Sequence, residues 1–295
     1  MTRIVLVHGI AQQFKGPETL LADWYPALSD GVSLASDTRI ARHQVSMAFY
    51  GDLFRPAGHR GIGMPDLDAS DVQDDIEREL LLQWWKFTAA REPSVPSPEA
   101  PARLRTPNTV QRALNALSHS VFFAGLSERM LIFSARQVRS YFTDPGMRTA
   151  VQRRLVARVT PETRVIVAHS LGTVVAYEAL CAHPQWRDVA LVTLGSPLAV
   201  RNLVFDRLIP RPARGNARWP APVTRWTNVS DEGDAVCSVK SLSPRFGDRI
   251  SDFFVHNGAA AHDVRPYLSA RETGQAIADA LTPDHQEPST GQGDR

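Results

Sequence analysis

Cysteine is nearly missing from these 295 residues: Cys181 and Cys237 are the only two. A disulfide framework of the kind that staples small secreted domains is therefore excluded, and both cysteines read as core packing. Lysine is as scarce, with Lys15, Lys86 and Lys240 alone, so arginine carries the basic charge. The 33 basic and 31 acidic residues leave a net charge of +2, too balanced to announce a nucleic-acid binder. Aromatics suited to stacking bases are not interleaved with the arginines, Trp219 and Trp226 apart. No apolar run approaches the roughly 18 residues of a spanning helix. Met1-Thr2-Arg3 leads straight into Ile4-Val5-Leu6-Val7, too short for a secretory hydrophobic region. A soluble, cytoplasmic protein is the expectation. The nine histidines form no H-E-x-x-H and the cysteines no paired spacing, so neither metal nor cofactor is expected.

What is present is ordinary globular material, 43% hydrophobic and 22% charged. A chain of this length buries roughly three quarters of its unfolded surface. Short β-branched runs at 3–8, 44–50, 164–168, 189–194 and 223–229 read as strands. Helices are expected at 18–30, 147–159, 171–183 and 271–281. A further helical stretch starts with Ser70 and Gln73 in a capping-box pattern. It continues through Val72, Ile76, Leu80 and Trp84 at four-residue spacing. Residues 109–142 are helical by pattern, with a break at Gly125-Leu126-Ser127. Loops are expected at 52–69, 91–107 and 207–222, a turn at Asp144-Pro145-Gly146, and a disordered polar tail at 283–295. Strands alternating with helices imply a parallel sheet covered on both faces. Chemistry then gathers at the carboxyl ends of the strands.

At one such end, Val165-Ile166-Val167 runs into Ala168-His169-Ser170-Leu171-Gly172 and a helix follows. A tight strand–turn–helix with small residues two before and two after a serine lifts the hydroxyl above the sheet edge. The free N–H groups and positive end of the following helix lie beneath it. Ala stands where the usual pattern has Gly.

Together with Val7-His8-Gly9-Ile10 and Val192-Thr193-Leu194-Gly195-Ser196-Pro197, this stretch resembles the α/β-hydrolase family in its lipase- and esterase-like branch. The resemblance covers roughly 3–50 and 160–270. It implies a mostly parallel sheet of about six or seven strands flanked by helices, trimmed at one edge. It also implies a Ser-Asp-His triad in that chain order, with Ser170 as nucleophile. Oxyanion donors would be the backbone N–H groups of Leu171 and Ile10, less firmly Ala11, with His8 structural. Asp234, in Asp-Ala-Val, fits the acid, and Asp231 and Glu232 compete. His262, at the end of a small-residue loop, fits the base. His256 competes as a core histidine, and His285 sits in the tail. The implied reaction is carboxylic-ester hydrolysis of a small-molecule or lipid ester. Acyl transfer or thioester hydrolysis would use the same residues, and a non-catalytic scaffold is a third reading.

One domain, 1–282, is expected, with a helical insertion at about 66–145 before the nucleophile strand. No motif covers that insertion. Its Trp84, Trp85, Phe87, Phe122, Phe123, Leu131 and Phe133 either pack helix on helix or line an acyl site under a lid. A partner protein could also dock there. The cluster Arg201, Arg207, Arg211, Arg214, Arg218 and Arg225 reads as a solvated loop or an anionic contact.

Overall fold

The computed structural model describes residues 1–55, 66–98, 107–123 and 126–282. Its centre is a six-stranded, all-parallel sheet in the order β2-β1-β3-β4-β5-β6. The strands are β1 Ile4–Val7, β2 Val45–Ala48, β3 Val165–His169, β4 Val189–Leu194, β5 Val223–Asp231 and β6 Ile250–Val255. Among the described residues no helix is long and apolar enough to cross a membrane.

Strand residues alternate between two cores. Ile4, Leu6, Val165, Val167 and Val192 pack on α1 (Pro17–Ala35), α8 (Val264–Ser269) and α9 (Arg271–Leu281). Val5, Val7, Ile166, Ala168 and Leu191 face the other layer. That layer holds α2 (Asp75–Ala89), α3 (Pro107–Ser118), α4 (Glu128–Thr143), α5 (Pro145–Val156) and α6 (Leu171–Ala182). Burial on both faces explains why β1, β3 and β4 are continuous apolar runs. A short α7 (Ser243–Phe246) caps the second core through Phe246.

Several local expectations need correction. The helix after residue 70 begins at Asp75, capped by Asp74, whose carboxylate accepts from the Ile76 N–H. Asp68, not Ser70, caps the preceding 3₁₀ turn Ala69–Asp71, and Val72 is buried outside any helix. Asp144-Pro145-Gly146 is no free turn. Asp144 caps α5 by accepting from Gly146 and Met147, and Pro145 occupies the first helical position, where its missing N–H costs nothing. β6 was not foreseen: at this edge of the sheet Phe253 and Phe254 are exposed, so no inward apolar alternation marks it. Residues 207–222 carry neither helix nor strand beyond an isolated bridge, Ala213 to Asn216, and a 3₁₀ turn ending at Arg207. Residues 56–65 of the first loop, 99–106 of the second, Gly125 and the tail 283–295 lie outside the described residues.

The four helices α2–α5 all fall between β2 and β3. A buried carboxylate ties this insertion to the sheet. Glu178 on α6 accepts from the Tyr141 hydroxyl at 2.7 Å, from Arg148 Nε at 2.9 Å and from the Ile209 N–H at 3.0 Å. Removing one partner of a buried pair strands the other charge. Glu178→Ala should therefore lower stability by about 3–5 kcal/mol, read as an earlier midpoint in urea unfolding. A loss below about 1 kcal/mol, the scale of an exposed pair, would contradict this.

Candidate active site

In the strand order β2-β1-β3, the chain leaves β1 toward one side of the sheet and β3 toward the other. The loops after β1 and β3 part there and open a crevice at the carboxyl edge. Gly9 and Ser170 stand on its two walls. A Cβ on Gly9 would lie 2.6 Å from Ser170 Cβ, and one on Gly172 would lie 2.4 Å from the His8 carbonyl oxygen. Glycine at positions 9 and 172 is thus required by contact between the two loops.

Ser170 has φ 54° and ψ −129°. A non-glycine residue in this region is strained by roughly 1–3 kcal/mol, and neighbours hold it there. Its N–H donates to the Leu194 carbonyl at 3.0 Å, while its own carbonyl accepts from Thr173 N–H and Oγ1. Thr173 Oγ1 also meets Ser196 Oγ at 2.9 Å, which binds the turn after β4 to the start of α6.

Ser170 Oγ lies 3.0 Å from His262 Nε2, and His262 Nδ1 lies 2.7 Å from Asp234 Oδ2. With Nδ1 carrying the proton to the carboxylate, Nε2 is left to accept from the serine hydroxyl. Asp234 is fully buried, and burial alone would favour its neutral form. His262, Lys240 and the Tyr267 hydroxyl outweigh that and hold its carboxyl below the usual carboxylate value. Its other oxygen accepts from the Val236 N–H at 2.9 Å. Gly195, at φ +52°, leaves the space: a Cβ there would stand 2.8 Å from Asp234 Oδ2.

The competing candidates are placed elsewhere. Asp231 is buried, but its carboxylate accepts from the Gly233 and Asn257 N–H groups and so ties the loops after β5 and β6 together. Glu232 is exposed, and so is His256, which corrects its reading as a core histidine. His285 lies outside the described residues. His8 bonds the Gly9 carbonyl through Nδ1 and accepts from the Tyr50 N–H through Nε2, a buried bracket between β1 and β2. Leu171, the first residue of α6, carries one of the first-turn N–H groups that take no partner within the helix. Ala11, at φ 63°, spends its N–H on Gln137 Oε1 at 3.1 Å, which leaves Ile10 as the donor candidate on that loop. Ile10, Ser170 and Leu171 share the lining of one pocket.

Three contributors escaped the sequence reading. Tyr267 on α8 accepts from the Asp231 N–H and donates to Asp234 Oδ2 at 2.9 Å, and burial pushes its phenol up, so the proton stays available. Gln137 on α4 pins the Ala11 loop and donates to Gln13 Oε1 at 3.0 Å. His169, beside the serine, is buried with its ring 4.6 Å from that of His262. Only the small-residue run before His262 and the Tyr267-Leu268 pair after it hinted at the first, and Gln137 lies 126 residues from its partner.

Of the seven insertion residues, Trp84, Phe122, Phe123 and Leu131 line the cleft over Ser170 as well as packing on one another. Trp85 points away, its Nε1 donating to the Pro96 carbonyl, and Phe87 sits under Arg91 and Lys240. None of the six clustered arginines lines this cleft. Arg207 is half-buried and the others are exposed, with Arg225 donating to the Asp279 carbonyl. Both cysteines are free thiols, and burial pushes Cys181 up to about 11. Among the described residues no three His, Cys, Asp or Glu side chains gather to hold a metal ion. No protein-family model matches the chain, and no curated protein matches it.

Burial holds His8 down to about 4 and His169 to about 3, against 6.5 when exposed. Between those values the unfolded chain binds protons that the folded one refuses, so stability falls as pH drops below 6.5 toward 4. Asp234 acts only at lower pH, because its folded value is depressed and its contribution persists until pH falls below about 3.8. Urea midpoints should therefore decline from pH 7 to 4.5, with uptake of one to two protons on unfolding. A flat profile over that range would contradict a neutral, buried state for both histidines.

Proposed function

We propose that this chain is a serine carboxylic-ester hydrolase of the α/β-hydrolase type. The observation that carries the reading is the unbroken hydrogen-bond line from Ser170 through His262 to Asp234, starting at a serine held at positive φ on a strand-to-helix turn. The chain order Ser, Asp, His supports it, as do their places in loops that follow β3, β5 and β6 of one parallel sheet.

In the reaction, Ser170 Oγ attacks the ester carbonyl while His262 Nε2 takes its proton. Asp234 fixes the imidazole tautomer and balances the imidazolium that forms. The oxyanion is met by the N–H groups of Ile10 and Leu171. Collapse breaks the bond to the alcohol oxygen, which receives the proton from His262. Water then attacks the acyl-Ser170 with His262 again as base, which releases the acid and restores the serine. The low, unionised His169 places no second positive charge beside the imidazolium.

Ser170→Ala should reduce turnover of a short p-nitrophenyl ester by about 10³-fold or more and abolish labelling by a fluorophosphonate probe. Rates within a few-fold of the parent would remove Ser170 from the reaction. Folded parent protein that neither hydrolyses the ester nor takes the label would favour a binding scaffold instead.

A further inference from the structure

Two spaces of different character meet at Ser170. One is a closed apolar pocket with only about 30 Å³ of free room. Leu80, Trp84 and Val138 of the insertion wall it on one side, and Val200, Leu203 and Val204 after β4 on the other. Beside Ser170 its polar neighbour is Gln83, which is occupied with Ser238 at 3.0 Å. The other space is an open cleft of about 790 Å³.

His262 lines the cleft and not the pocket, Leu171 lines the pocket and not the cleft, and Ile10 lies on both. That asymmetry orients an ester. The alcohol oxygen must receive its proton from His262 Nε2, so the alcohol part lies in the cleft. With the carbonyl oxygen at Ile10 and Leu171, the acyl chain enters the closed pocket. Resting on the serine-hydrolase reading, we propose that the substrates are esters of short-chain acids with large, hydrogen-bonding alcohols.

Size sets the acyl limit. The pocket's free room of about 30 Å³, against about 790 Å³ in the cleft, suits a short acid of about two to four carbons and leaves the larger part of the ester to the cleft. The walls cannot recede cheaply, because Leu80, Trp84, Leu203 and Val204 are themselves buried core residues. The cleft, by contrast, has the volume of a site for a whole small molecule. Its lining is mixed. Trp24 and Phe122 supply apolar faces, and Gln12 and Ser134 polar ones. The Lys15–Asp23 and Asp263–Arg265 pairs add a charged rim.

The test is a chain-length series of p-nitrophenyl esters from acetate to dodecanoate, with kcat/KM for each, and butyrates of ethanol and of 2-phenoxyethanol. The expected optimum lies at acetate to butyrate, with a drop of roughly tenfold or more by octanoate, and the phenoxyethyl ester surpasses the ethyl one. Leu80→Ala and Val204→Ala, made separately in case one fails to fold, should each narrow the butyrate-to-octanoate ratio by at least about threefold. An optimum at octanoate or longer, an ethyl ester as good as the phenoxyethyl ester, or unchanged ratios in both variants would overturn the proposal while leaving Ser170 chemistry intact. Failure to turn over any ester would remove the hydrolase reading and this inference with it.

Discussion

Ser170 sits in a backbone conformation that its side chain disfavours, and the rest of the structure is arranged to keep it there. A strained residue of this kind persists only where its surroundings over-determine it. Here the surroundings are the two central strands. β3 delivers the chain between β1 and β4, the Leu194 carbonyl fixes the Ser170 N–H, and α6 begins at once behind it. Because the β1 loop passes within contact distance, side chains larger than hydrogen are excluded at Gly9 and Gly172. The placement of the hydroxyl is the return on this arrangement: buried at the sheet edge, at the start of α6, it lies within hydrogen-bond reach of His262.

The parallel topology then brings distant segments to one edge. β3, β5 and β6 all end on the same side, so their following loops bring Ser170, Asp234 and His262 together across 92 residues of sequence. Asp231 and Tyr267 brace those loops against each other, one through two backbone N–H groups and one through a shared hydroxyl. The insertion α2–α5 reaches the same edge from the other side of the crevice. Gln137 clamps the Ala11 loop, and Trp84 separates the closed pocket from the open cleft. Removing this insertion would therefore strip the site of a wall and of a support for the Ala11 loop together.

Much of this was legible in the sequence where one local rule decided the outcome. β1, β3 and β4 are buried on both faces and read as short apolar runs, and the turn at 168–172 marks where α6 begins. The residues gathered at the site were named from the motif at 168–172 and the chain order that its resemblance implies. Where two rules competed, the reading slipped. Ser70 and Gln73 match a capping box, yet Asp68 and Asp74 do the capping because the apolar face of α2 begins at Ile76. Asp144-Pro145-Gly146 matches a turn and equally a capped helix start, and only the packing of Val151 and Leu155 chooses the helix. β6 carries its phenylalanines outward on an edge, so burial could not mark it. Gln137 and Tyr267 act through single long-range hydrogen bonds, for which no local spacing exists.

The proposed chemistry requires a covalent bond at Ser170. Mixing the protein with p-nitrophenyl acetate, quenching in acid within the first turnovers and mapping the digest by mass spectrometry reads that bond directly. The mass of one acetyl group on the peptide carrying Ser170, lost again on longer incubation, is the result predicted. Steady release of p-nitrophenol with that peptide unmodified, or with the acetyl group on another side chain, would contradict it.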